Sequence, residues 1–234
     1  MENFLNIFLL GDVPNDLVSF TFFIGTMAMM AASVFFFLSL DAGGGKWRTS
    51  MLVSGLITFI AAVHYYYMRD ANVAGADTTF FRYVDWILTV PLMCVEFYLI
   101  LAKAGATKKL MWNLIFLSTV MLVAGYIGET GDQPVVWGTI SGVAYFYMVY
   151  MLWLGEAKGL AEKAGGAVLE AHNALCWFVL VGWAIYPIGY MIGTDGWYDF
   201  VDAIPLDMDV VYNIGDAINK IGFGLVIYNL AVSK

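Results

Sequence analysis

Apolar residues run along this chain in seven long blocks separated by short polar breaks. The blocks cover roughly 16–40, 50–69, 78–102, 108–128, 134–155, 168–192 and 206–232. The breaks read "DAGGGKWR", "RDANVAGAD", "KAGATKK", "GETGDQP", "GEAKGLAEKAGGA" and "TDGWYDFVDAIPLD", rich in Gly, Asp or Lys. A hydrocarbon core ~30 Å thick is crossed by about 20 residues of helix. Each block therefore predicts one transmembrane helix. No repeat, linker or separate soluble unit interrupts the pattern. Residues 1–234 are read as a single all-α domain, a seven-transmembrane-helix bundle.

Composition agrees. The chain is 61% hydrophobic and only 13% charged, whereas a soluble domain is about half apolar and a quarter charged. Such a surplus needs an apolar solvent, so the lipid bilayer is the first partner and the expected location is the plasma membrane, as a multi-pass protein. A net charge of −8 speaks against a nucleic-acid partner. Cys94 and Cys176 both fall inside apolar blocks and read as packing residues, not as a disulfide or a metal site. The leading "MENFLNIFLLGDVPND" is short and acidic and does not read as a signal peptide.

Charge between the blocks sets the orientation. Lys46, Arg48, Lys103, Lys108, Lys109, Lys158, Lys163 and Lys234 all fall on one side. The other side has Arg69 as its loop cation, with Glu2, Asp12, Asp16, Asp70, Asp77, Glu129, Asp132, Asp195, Asp199, Asp202, Asp207 and Asp209. Basic loops stay in the cytoplasm. The N-terminus is expected outside and the C-terminus inside.

The ionisable residues that stand out inside the blocks are His64 in the second, Arg82, Asp85 and Glu96 in the third, and Asp216 and Lys220 in the seventh. Charges in hydrocarbon are costly and usually mark function. Tyr212, Asp216 and Lys220 recur every four residues and share a helix face. A buried ion pair alone adds little stability over apolar packing, so a structural role explains the pair poorly. A desolvated lysine is a good amine nucleophile, and an aldehyde would form a Schiff base on it. Once protonated, that group would need a carboxylate.

The third block, "RYVDWILTVPLMCVEF", brings Arg82, Asp85 and Thr89 toward one face. Glu96 lies eleven residues past Asp85, roughly 16 Å along the axis and about three turns on. One carboxylate on each side of a central lysine is the layout of a proton relay. His64, near the outer end of the second block, either bonds a neighbouring helix or partners Asp85 and tunes it.

At these residues the sequence resembles the microbial (type 1) rhodopsins over nearly its whole length. "RYVDWILTVPL" followed by Glu96, together with "DAINK", is most similar to the proteorhodopsin and xanthorhodopsin group. The resemblance implies all-trans-retinal bound covalently to Lys220 as a protonated Schiff base. It implies Asp85 as primary counterion and proton acceptor, Asp216 as second counterion and Glu96 as proton donor. Thr89 completes the Asp-Thr-Glu triad of outward proton pumps, Arg82 matches the extracellular arginine, and His64 the histidine that bonds the acceptor.

The retinal pocket implied by the resemblance takes Trp86 and Met93 from the third helix, Met121 and Gly125 from the fourth, and Ser141 and Tyr145 from the fifth. Trp183, Tyr186, Pro187 and Tyr190 form its sixth-helix wall. Met93 occupies the group's colour-tuning position, where an apolar residue is similar to the green-absorbing members. Where many relatives carry a tryptophan, Gly138 stands here. It either opens a side window for a carotenoid (xanthophyll) antenna or allows close helix contact.

The implied activity is a light-driven outward proton pump, a transporter and not an enzyme, with protons as its cargo and no metal. Relatives form pentamers or hexamers, so a homo-oligomer is expected. The alternatives are a sensory rhodopsin, which often lacks a carboxylic donor, and a pump for sodium or chloride, which usually alters the triad. A retinal-free transporter has no use for the position of Lys220. Glu129, Asp195 and Asp199 are the outer-side candidates for proton release.

Overall fold

The computed structural model describes residues 16–194 and 207–233. Among these, seven helices are long and apolar enough to cross a membrane. They are α1 Leu17–Leu38, α2 Arg48–Val73, α3 Thr79–Leu101, α4 Lys108–Thr130, α5 Pro134–Trp153, α6 Gly166–Ile192 and α7 Met208–Val232. A short helix, Glu156–Ala164, follows α5 after a turn. The helices match the seven apolar blocks to within a few residues, because each block is fixed by the length of hydrocarbon it must cross.

Local sequence sets the ends. Asp16 caps α1, accepting from the Ser19 amide at 2.7 Å. That bond holds the Asp16 carboxyl below the usual carboxylate range. Asp207 caps α7 by accepting from the amides of Asp209 and Val210. Pro134 opens α5, where its missing N–H costs nothing. Inside α3, Pro91 leaves the Ile87 carbonyl without its helical donor.

Helix α6 is not uniform. Residues Phe178–Gly182 are wound as a π-helix, with the Trp183 amide donating to the Phe178 carbonyl at 3.0 Å. Neighbouring helices take up the carbonyls of the distorted turn. Tyr145 of α5 donates to the carbonyls of Val179 and Leu180 at 2.9 and 3.0 Å. Asn219 of α7 donates to the Gly182 carbonyl at 2.9 Å. Any side chain at position 182 would overlap the Asn219 amide, so this approach requires glycine.

The helices pack in a ring. Each leans on its neighbours in sequence, and α7 closes the ring against α1, α2 and α6. Large apolar side chains such as Phe20, Leu38, Phe116 and Phe146 point outward, as expected where the solvent is lipid. Starts of α1, α3, α5 and α7 gather at an acidic end with Asp16, Asp77, Glu129, Asp132, Asp207 and Asp209. The opposite, basic end carries Lys46, Arg48, Lys103, Lys108, Lys109, Lys158 and Lys163. Arg69, expected in a loop, instead lies inside α2 and is buried, its guanidinium 5.6 Å over the Phe23 ring. The helix simply runs past it to Val73. Glu2, Asp12, Asp195, Asp199, Asp202 and Lys234 lie outside the described residues. Cys94 and Cys176 are buried free thiols.

Candidate functional site

The interior holds one ammonium between two carboxylates. Lys220 reaches across from α7 and donates to Asp85 Oδ2 on α3 and to Asp216 Oδ2 one turn earlier, each at 2.5 Å. Lys220 is 2% exposed and Asp85 0%, so the contact is shielded from bulk solvent. Burying these ions carries a desolvation cost of several kcal/mol each. One cation does not neutralise two anions, which leaves the cluster short of positive charge.

The two carboxylates are held unequally. Asp216 Oδ1 accepts a second bond, from the Tyr186 hydroxyl of α6 at 2.8 Å. Asp85 Oδ1 is buried with no hydrogen-bond partner among the described residues. Thr89 donates to the Asp85 backbone carbonyl at 2.9 Å, not to its carboxylate. His64 is half-buried on α2 and its Nδ1 meets the Ile60 carbonyl at 2.9 Å. No hydrogen bond joins it to Asp85 here, because the ring is turned back along its own helix.

Arg82 points away from the cluster. Its guanidinium donates to Asp209 of α7 at 2.5 Å and to Thr78 at 3.2 Å, and lies 4.9 Å over the Tyr212 ring. Nearby, the Tyr83 hydroxyl donates to Glu129 at 2.7 Å.

Glu96 sits toward the basic end, fully buried. Ser54 of α2 donates to its Oε1 at 3.3 Å, while Oε2 has no hydrogen-bond partner among the described residues. No ion pair involves it among the described residues.

Beside the cluster lies a cavity of about 370 Å³, within the ~300–1,000 Å³ common for small-molecule sites. Trp86, Met121, Gly125, Gly138, Ser141, Tyr145, Trp183, Tyr186, Pro187 and Tyr190 border it, as do Tyr83, Val90, Leu122 and Tyr212. Met93, expected in the wall, is buried in the core and does not border it. Lys220 does not border the cavity either; Tyr186 joins the two, its ring in the wall and its hydroxyl on Asp216. Thr139, Val143 and Phe146, exposed on α5, belong to the same lining. The cavity therefore opens sideways toward lipid. Gly138 does form a notch there, but the Tyr190 ring fills it. A Cβ at 138 would stand 2.7 Å from Tyr190 Cε1, and the Tyr190 hydroxyl donates to the Pro134 carbonyl at 2.6 Å. A buried primary amine next to an apolar, aromatic-walled cavity fits a long apolar aldehyde such as retinal.

Several of these residues had no mark in the sequence. Asp209 looked like any other loop acid. His172 is a further ionisable residue within the sixth block, 0% exposed. Its Nε2 meets the Leu152 carbonyl at 3.0 Å and lies 3.3 Å from Cys176 Sγ. A scan for every titratable group in the blocks, neutral histidines included, finds it.

Comparison with known proteins places this architecture. The model of the bacteriorhodopsin-like protein family matches residues 16–234. The blue-light absorbing proteorhodopsin of Gamma-proteobacterium Hot 75m4 is 46% identical over 232 residues, 96% of this chain and 90% of the relative. The green-light absorbing proteorhodopsin of Gamma-proteobacterium EBAC31A08 is 44% identical over 231 residues, with the same coverage of 96% and 90%. Among solved structures, the blue light-absorbing proteorhodopsin from Med12 superposes with a TM-score of 0.75 at 41% identity, covering 92% of this chain and 98% of that one. Xanthorhodopsin, a light-driven ion pump with dual chromophore, gives 0.80 at 31% identity, covering 92% of each.

Proposed function

The chain belongs to the bacteriorhodopsin-like family, and on that premise we propose that it is a light-driven outward proton pump. The observation that carries this reading is Lys220 Nζ held between Asp85 and Asp216, with Asp85 Oδ1 left bare. Retinal bound to Lys220 Nζ supplies visible absorption and a light-driven change of shape at that nitrogen. The protein's own groups supply direction.

Asp85 is the better placed of the two carboxylates to take a proton from Lys220 Nζ. Hydrogen bonds to a charged carboxylate favour its charged form, and Asp216 has the extra bond from Tyr186 while Asp85 has none. Asp216 thus stays as the standing counterion. Glu96, some three turns away toward the basic end, returns a proton to the lysine nitrogen from the opposite side. Its seclusion from charge keeps the two halves from short-circuiting. With the acidic end outside, as the positive-inside rule directs, protons leave the cell. Trp86, Trp183, Tyr186 and Pro187, which line the cavity, would hold the chromophore. Thr89 braces α3 at Asp85.

A carotenoid antenna is the finer proposal. The lateral opening of the cavity at α5 supports it, and Tyr190 would have to leave the Gly138 notch to admit a ring. A homo-oligomer, pentamer or hexamer, is proposed from the family alone.

The test is direct. Cells making the protein and supplied with retinal are illuminated in unbuffered medium. The medium acidifies, and a protonophore abolishes the signal. Acidification that survives the protonophore, or that never develops, overturns the reading.

A further inference from the structure

The arginine one turn from the acceptor is committed elsewhere. Arg82 precedes Asp85 by three residues on α3, a spacing at which side chains meet. Its guanidinium nevertheless bonds Asp209, in the first turn of α7, and Thr78, both toward the acidic end. The Tyr212 ring lies beneath it. Arg82 is buried, with a side chain 6% exposed, while that of Asp209 is 42% exposed. A charge-assisted bond of this kind is among the stronger polar contacts. Asp85 Oδ1, meanwhile, has no hydrogen-bond partner among the described residues.

We propose that Asp209 is a positioning residue: it holds Arg82 toward the acidic end and so sets how tightly Asp85 keeps a proton. The proposal rests on Asp85 being the acceptor. A long, flexible arginine has two carboxylates within its range, and its charge favours the ionised form of whichever it approaches. Remove the Asp209 charge and Arg82 turns to Asp85, which then binds a proton less tightly. The other titratable groups stay in place. Asp85 faces Lys220 and Asp216 on α7, Tyr186 on α6, and His64 and Tyr65 on α2. Arg82 also faces Tyr212, Tyr65 and, from α4, Glu129.

The experiment is a pH titration of the visible absorption band of the purified, retinal-loaded protein, which reads the charge beside the chromophore without any transport. Four proteins are compared: wild type, Asp209→Asn, Asp209→Glu, and Asp132→Asn, an exposed acid at the same end. The midpoint in Asp209→Asn falls by about one pH unit, near the lower bound for a charge brought within contact. Asp209→Glu stays near wild type, and Asp132→Asn reports the general effect of one lost surface charge. If Asp209→Asn does not fold, Asp209→Ser replaces it. In an Arg82→Gln background the Asp209 substitution has no further effect, since it acts through the arginine. A midpoint that moves no more than in Asp132→Asn, that rises, or that still shifts without Arg82 overturns the proposal. A wild-type protein with no visible band would instead sink the functional reading.

Discussion

The two halves of the interior are built on opposite plans. Toward the acidic end, Lys220, Asp85, Asp216 and Tyr186 form one hydrogen-bonded cluster, and Arg82, Asp209 and Thr78 form a second beyond it. Toward the basic end, Glu96 is fully buried with only the serine hydroxyls of α2, Ser54 and Ser50, as polar partners beside it among the described residues. A networked half can redistribute a proton among neighbours with small movements. A half with few polar partners holds its proton until something opens a path. Direction of transport follows from that inequality: the easy side releases and the guarded side reloads.

Removing the shared centre gives the largest effect. Lys220→Ala leaves retinal with no covalent site, so the purified protein shows no visible band and cells show no light-driven acidification. It also leaves Asp85 and Asp216 buried together without a cation, so the variant is expected to melt lower as well.

Breaking each half separately sharpens the contrast. Asp85→Asn removes the acceptor, and transport falls by at least about a hundredfold, the usual worth of a placed acid or base. Colour remains, because Lys220 is intact. Glu96→Gln spares the first light-driven transfer and slows recovery by about a hundredfold. Flash spectroscopy separates the two: the first variant loses the early proton transfer, the second only the late return. Equal loss of both phases in Glu96→Gln would refute the division between the halves.

Gly138→Trp probes the side of the cavity and is a smaller change. The indole competes with Tyr190 for one space, so any carotenoid bands in the action spectrum vanish while the retinal band and pumping remain. Carotenoid bands that survive unchanged exclude the notch as the antenna site.

Much of this was legible in the sequence, for identifiable reasons. The seven helices were readable because hydrocarbon thickness fixes their length. Lys220, Asp85, Asp216 and Glu96 stood out because few charges interrupt the apolar blocks. Their inequality did not show, since it depends on which oxygen Tyr186 reaches. Asp209 could not be told from its neighbours, because pairing with Arg82 is a contact between helices far apart in sequence. The side chain of His64 could turn either way from the same backbone position. Nor did any residue type announce the π-helical turn of α6, which is set by what Tyr145 and Asn219 offer from outside. Tyr190 filling the space beside Gly138 is likewise a matter of shape, not of pattern.

The smallest effect tests whether the acidic end is stabilised by charge as well as by contact. Asp16 accepts the Ser19 amide at the start of α1, and its carboxyl is held below the usual 3.8 by that bond. A carboxyl lowered on folding stabilises the folded chain above its unfolded value, and the contribution is lost as pH falls through the lower, folded value. Acidification toward pH 3 should therefore fray the first turn of α1. Hydrogen exchange at the Ser19 amide reads this directly. Asp16→Ala produces the same fraying at neutral pH, at a cost within the ~0.5–2 kcal/mol of a lost helix cap, and abolishes its pH dependence. Asp16→Asn keeps the acceptor without the charge, so it keeps protection across the whole range. If the alanine variant still loses protection on acidification, the cap is not the source.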